Sequence, residues 1–81
     1  MTVTQLQIAK LKTDLFNERQ YTLDLKSENA SDYLKFLSTL KYTEELQIKA
    51  SMTDRNRKIV NSELKAMRIQ AKIIELENLQ C

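Results

Sequence analysis

Apolar residues near the start of the chain recur at alternating steps of three and four. With Ile8 at position a of a heptad, Leu11 is the next d and Leu15 the next a. That spacing lays a stripe along one side of an α-helix. The stripe weakens at Glu18 and Thr22, returns at Leu25 and lapses at Asn29 and Asp32. In the same frame it resumes at Leu46 and continues through Val60, Leu64, Met67, Ala71 and Ile74. A frame kept in phase across the weak stretches predicts an all-α chain, a long and mostly continuous helix. Ile8, Leu11, Leu15, Leu25, Leu46 and the 60–74 residues would form the seam of a coiled coil or bundle with partner chains.

The C-terminal third carries a second stripe. Ile59, Ser62, Ala66, Ile69, Ile73 and Leu76 are spaced 3, 4, 3, 4, 3, and their midpoint lies about 160° around the helix from the first. A helix apolar on two opposite sides is expected to sit between two partners. Ile59, Ala66, Ile69, Ile73 and Leu76 are then the face for the second one. In the middle, Tyr33, Phe36, Leu37 and Leu40 crowd together. The Tyr33–Leu37–Leu40 stripe runs one position late, as at a stutter. These residues either fill a helix–helix core or form a central docking patch.

The chain has no glycine and no proline, the residues that most readily end helices and make tight reversals. Two stretches could still interrupt a single 1–81 coiled-coil segment. Residues 27–32 and 51–58 are rich in side chains that compete for helical hydrogen bonds, and Ser51 with Asp54 makes a capping-box pattern. If both broke, helices near 3–27, 32–50 and 55–81 would form a compact three-helix bundle, the alternative architecture. Charge pairs at flanking positions (Asp14 with Arg19, Lys49 with Asp54, Glu63 with Arg68) would be attractive in a parallel pair.

Composition narrows the function. Hydrophobic residues make up 42% and charged residues 30%, with 13 bases against 11 acids, too apolar and too balanced for a disordered tail. No apolar run is long enough for a membrane span. Histidine is absent and cysteine occurs once, as Cys81. Neither a zinc site nor an internal disulfide can therefore form, and no glycine-rich phosphate loop is possible. No cofactor and no catalysis are expected. Arg55, Arg57 and Lys58 form the densest basic cluster, either solvated or in contact with an acidic surface. No aromatic is interleaved with these bases, which argues against nucleic acid. Cys81 would be a free thiol in a reducing compartment.

The block Ser31-Asp32-Tyr33-Leu34-Lys35-Phe36-Leu37-Ser38-Thr39-Leu40-Lys41 and the charged helix after it resemble segments of eukaryotic ciliary and basal-body coiled-coil proteins of the basal-body orientation factor type. The resemblance covers about a third of the chain. It implies a cytoplasmic scaffold of an axoneme or basal body that binds tubulin or another acidic filament, and it brings no catalytic residue with it. The expected function is a non-catalytic coiled-coil scaffold that assembles with other helical chains, its own copies or others. The rival functions are a small three-helix binding module and an oligomerisation segment of a larger signalling or transport protein.

Overall fold

The chain reverses once, at Thr39–Lys41, and its two halves lie side by side. The computed structural model describes residues 2–79. They form two α-helices, α1 (Val3–Ser38) and α2 (Tyr42–Leu79). Three linking residues leave no room for a crossover, so the helices are antiparallel neighbours in an αα-hairpin. The molecule measures 59 × 15 × 14 Å, with a radius of gyration of 18.2 Å. A globular chain of this length would be near 12 Å. The all-α, elongated architecture therefore stands, but the continuous rod does not: the hairpin is about half the length of a fully helical chain. The three-helix alternative fails as well, because residues 27–32 and 51–58 are both helical.

Local chemistry explains where the helices begin and end. Thr2 caps α1 with a reciprocal pair of bonds: Gln5 N–H donates to Thr2 Oγ1 (3.1 Å), and Thr2 N–H donates to Gln5 Oε1 (2.9 Å). At the far end Thr39 leaves the helix with φ −81° and ψ 142°, while its N–H still donates to Lys35 O at 3.0 Å. Thr39 Oγ1 then donates to Glu44 Oε2 (2.7 Å), and Lys41 N–H donates to Thr39 Oγ1 (3.4 Å). Glu44 and Glu45 occupy the first turn of α2, where the helix dipole favours acids. No described residue has a positive φ, so the reversal uses threonine chemistry and needs no glycine. The suspected breaks hold as helix because their polar side chains find partners. Within 51–58 Thr53 Oγ1 donates to Lys49 O and Lys58 pairs with Asp54, and the two stretches bond each other across the seam, Arg55 to Asp32 and Asn56 to Asn29. Ser51 and Asp54 are interior to α2 and cap nothing.

The seam corrects the assignment of stripes. On α1 it follows the expected frame, with Ile8, Leu15 and Leu25 buried and Leu11 half-buried. The frame continues through the positions where apolarity lapsed, Glu18, Thr22, Asn29 and Asp32, and on to Phe36. On α2 the seam is the second stripe: Ile59, Ser62, Ile73 and Leu76 are buried, with Ala66 and Ile69 packed beside them. Leu46, Val60, Leu64, Met67, Ala71 and Ile74, expected in the first seam, are exposed. The physical reason is the reversal. Once α2 folds back on α1, its facing side is set by the hairpin and not by the frame carried over from α1.

Ile8, Leu15, Ile73 and Leu76 form the main apolar core, at the open end of the hairpin. Ile73→Ala, at a site only 3% exposed, is expected to destabilise the hairpin by about 2–5 kcal/mol. Leu64→Ala, on the stripe left outside, should cost about 0.5 kcal/mol or less. Thermal unfolding followed by circular dichroism measures both; equal losses would mean that the stripes are wrongly assigned.

Candidate interaction surface

Two polar layers interrupt the apolar seam. In the first, Thr22 and Ser62 are buried and their hydroxyls share a hydrogen bond between the helices. Ser62 Oγ donates to Glu18 Oε1 (2.8 Å) and accepts from Thr22 Oγ1, whose single proton is shared with Glu18 O at 3.0 Å. Lys65 closes the layer from outside, 3.6 Å from Glu18 Oε2. In the second, Arg55 reaches across from α2. It donates to Asp32 Oδ2 and, at 3.1 Å, to Asn29 Oδ1, and its Nε lies 3.1 Å from Glu28 Oε2. Asn29 Nδ2 in turn donates to Asn56 Oδ1 at 2.7 Å. The Asp32 hydrogen bond, opposed by desolvation and aided by the charges of Asp32, Glu28 and Asp54, raises the Arg55 pKa. Among the described residues no buried side-chain polar atom lacks a partner.

Arg55 therefore does not belong to an outward basic cluster with Arg57 and Lys58. It points into the seam, whereas Arg57 and Lys58 are exposed. The central aromatic patch divides in the same way. Phe36 is half-buried under Lys49, whose Nζ lies 5.2 Å from the ring centre, and Tyr33, Leu37 and Leu40 are exposed. The parallel charge pairs are replaced by antiparallel ones, Lys26 with Glu63 (2.9 Å) and Lys12 with Glu77 (3.4 Å). Cys81 lies outside the described residues.

Those two pairs mark one long side of the hairpin, and that side is apolar beyond them. On α1, Ala9, Phe16, Leu23, Ala30 and Leu37 recur every seven residues, all exposed. On α2, Leu46, Val60, Met67 and Ile74 keep the same seven-residue phase, with Thr53 completing it. Between the ridges runs an open groove of about 720 Å³, lined by Leu23, Met67, Ala71 and Ile74, with Arg19, Lys26, Glu63 and Gln70 along its edges and the seam residues Thr22 and Ala66 at its floor. The edge residues can turn their methylene stems to the groove and keep their heads in water.

The opposite side has the reverse character. Lys10, Asn17, Asp24 and Ser31 occupy the matching positions on α1, and Asp54, Asn61, Arg68 and Glu75 those on α2. Shallow clefts there are lined by Asp14, Asn17, Glu18, Lys58, Asn61 and Lys65, with the Tyr21 ring among them. The hairpin is thus amphipathic across its width. The α1 ridge is carried in the sequence as a seven-residue recurrence one position past each a residue of the seam.

Among the described residues no group of His, Cys, Asp and Glu is placed to hold a metal ion, and no helix is long and apolar enough to cross a membrane. Comparison with protein-family models, with curated proteins and with solved structures returned no match.

The Arg55 layer can be tested by a double substitution. Arg55→Leu removes the cation from between Asp32 and Glu28 and should lower the thermal midpoint. Adding Asp32→Leu to it should recover most of the loss, because an apolar pair replaces a stranded carboxylate. A double variant no more stable than the single one would show that the cluster does not hold the seam.

Proposed function

We propose that the chain is a non-catalytic assembly element, a helical hairpin that packs against other helices through its apolar side. The observation that carries the reading is the contrast between the two long sides. Phe16, Leu23, Val60, Met67 and Ile74 stand exposed on one, and the other is mostly charged and polar, with Val3 and Tyr21 the apolar exceptions on α1. A solvated hairpin has no use for such a difference, since every exposed apolar ridge promotes association. The balance of burial supports the same reading: six large hydrophobic residues are buried and sixteen are exposed among the described residues. A core that small leaves an isolated hairpin marginal, and covering the apolar side adds the missing burial.

The setting proposed for this assembly is cytoplasmic and cytoskeletal. It rests on the resemblance of Ser31–Lys41 to ciliary and basal-body scaffolds, a block that here spans the end of α1 and the reversal. Exposed Arg57 and Lys58 would supply contacts to an acidic filament such as tubulin. Use as an oligomerisation segment within a larger protein would draw on the same apolar side.

A photo-crosslinking residue placed at Leu23 or Met67 of the full chain, in its native cellular setting, should link to helical segments. The same residue at Asn17 or Asn61, on the polar side, should link at least tenfold less. Equal yields from both sides would overturn the reading.

A further inference from the structure

The groove runs between two rails of opposite charge. Arg19 and Lys26 line its α1 edge and Glu63 and Gln70 its α2 edge, and at the same seven-residue spacing Lys12 and Glu77 extend the two rails toward the open end. Within one chain the rails already face each other, Lys26 to Glu63 and Lys12 to Glu77. A body laid over this side meets a basic rail on one half and an acidic rail on the other. It matches both only if it carries the same two rails in exchanged positions.

A second hairpin turned over about a two-fold axis parallel to the helices does this. That rotation sets α1 of one copy on α2 of the other, antiparallel, and keeps every level along the axis. The opposite rotation, about an axis across the helices, sets α1 on α1 and brings basic rail to basic rail, which costs stability. We propose that the apolar side is covered by a second copy of this chain, forming a two-fold four-helix bundle with each α1 packed on the partner's α2. The proposal rests on the assembly reading above and names its occupant.

Bulk fits as well as charge. In the hairpin Leu23 and Met67 line the same groove, and the antiparallel register, which sets Thr22 beside Ser62 and Asn29 beside Arg55, places Phe16 near the level of Met67, Leu23 near that of Val60 and Ala30 near that of Thr53. The two-fold axis preserves these levels, so the ridge of one copy meets the other's ridge with large residues toward the open end and small ones, Ala30 and Thr53, toward the reversal. The face measures 59 by 15 Å, roughly 900 Å², against about 800 Å² per partner in a standard stable interface. The interaction is isologous, as closed two-fold dimers require.

Sedimentation equilibrium of the purified full chain tests the occupant, and cross-linking tests the axis. The expected mass is twice the 9.5 kDa of the chain. Leu23→Glu or Met67→Glu should weaken the dimer at least 100-fold with helicity retained, and Asn61→Glu should leave it intact. In a Cys81→Ser background, chains carrying Leu23→Cys mixed with chains carrying Val60→Cys should form an interchain disulfide that Leu23→Cys chains alone do not. Self-linking of Leu23→Cys chains would overturn the proposed axis. A chain that stays monomeric while photo-crosslinks from Leu23 reach other proteins would overturn the second copy and keep the assembly reading. Monomers with equal cross-linking from both sides would remove both.

Discussion

A polar side chain placed in a helix–helix seam must meet a partner, and that requirement sets where α1 and α2 stand relative to each other. The apolar layers alone would tolerate sliding, because leucine and isoleucine recur every three or four residues and one can replace another. Thr22 with Ser62, and Arg55 with Asn29 and Asp32, cannot be interchanged in this way. A slip of one heptad would set Ile59 opposite Asp32 in one direction and opposite Glu18 in the other. Either leaves a half-buried carboxylate without its donor. The polar layers thus fix register more than they add stability, a role that buried polar residues fill in other helical pairs. The apolar core at the open end, Ile8 and Leu15 against Ile73 and Leu76, then falls into place.

That role also explains what could be read from the chain before its structure. The helices, the apolar stripe of α1 and the second stripe of α2 were all legible as spacing, since helical periodicity survives any tertiary arrangement. The link was not. Thr39-Leu40-Lys41 has none of the residues that announce a reversal, and its turn is held by a threonine hydroxyl bonded to Glu44. A helix continuous through 39–41 would carry the α1 frame onto α2, and that is why the wrong stripe of α2 was expected to face the seam. Val60, Leu64 and Ile74 are as hydrophobic as Ile59, Ile69 and Ile73, so hydrophobicity could not decide between them. The serine at position 62 could have. A hydroxyl in an apolar stripe calls for a facing acceptor, and Thr22 with Glu18 stands forty residues upstream in a frame that lapses at that point.

The apolar interval of α1 and its polar interruptions together give the hairpin its sidedness. Lysine, arginine and glutamate flank the seam on the groove side with their stems, while the ridges beyond them are leucine, phenylalanine, methionine and isoleucine. On the other side the flanks and the positions beyond them are mostly polar, Tyr21 and Val3 apart. Two amphipathic helices of ordinary composition therefore make a body with a buried seam, a wet side and a dry side. The interaction surface is built on regular helix and follows its geometry along the whole length.

The reversal without a positive φ bears on the unfolded chain as much as on the folded one. Glycine in a turn widens the range of conformations open to the unfolded ensemble, and folding then has more freedom to extinguish. Thr39, Leu40 and Lys41 are already restricted before the helices meet, two of them by bulky side chains and Thr39 by its branched β-carbon. The entropy surrendered at the bend is correspondingly small. For a hairpin with so few buried side chains, part of the folded state's margin thus comes from what the disordered chain never had.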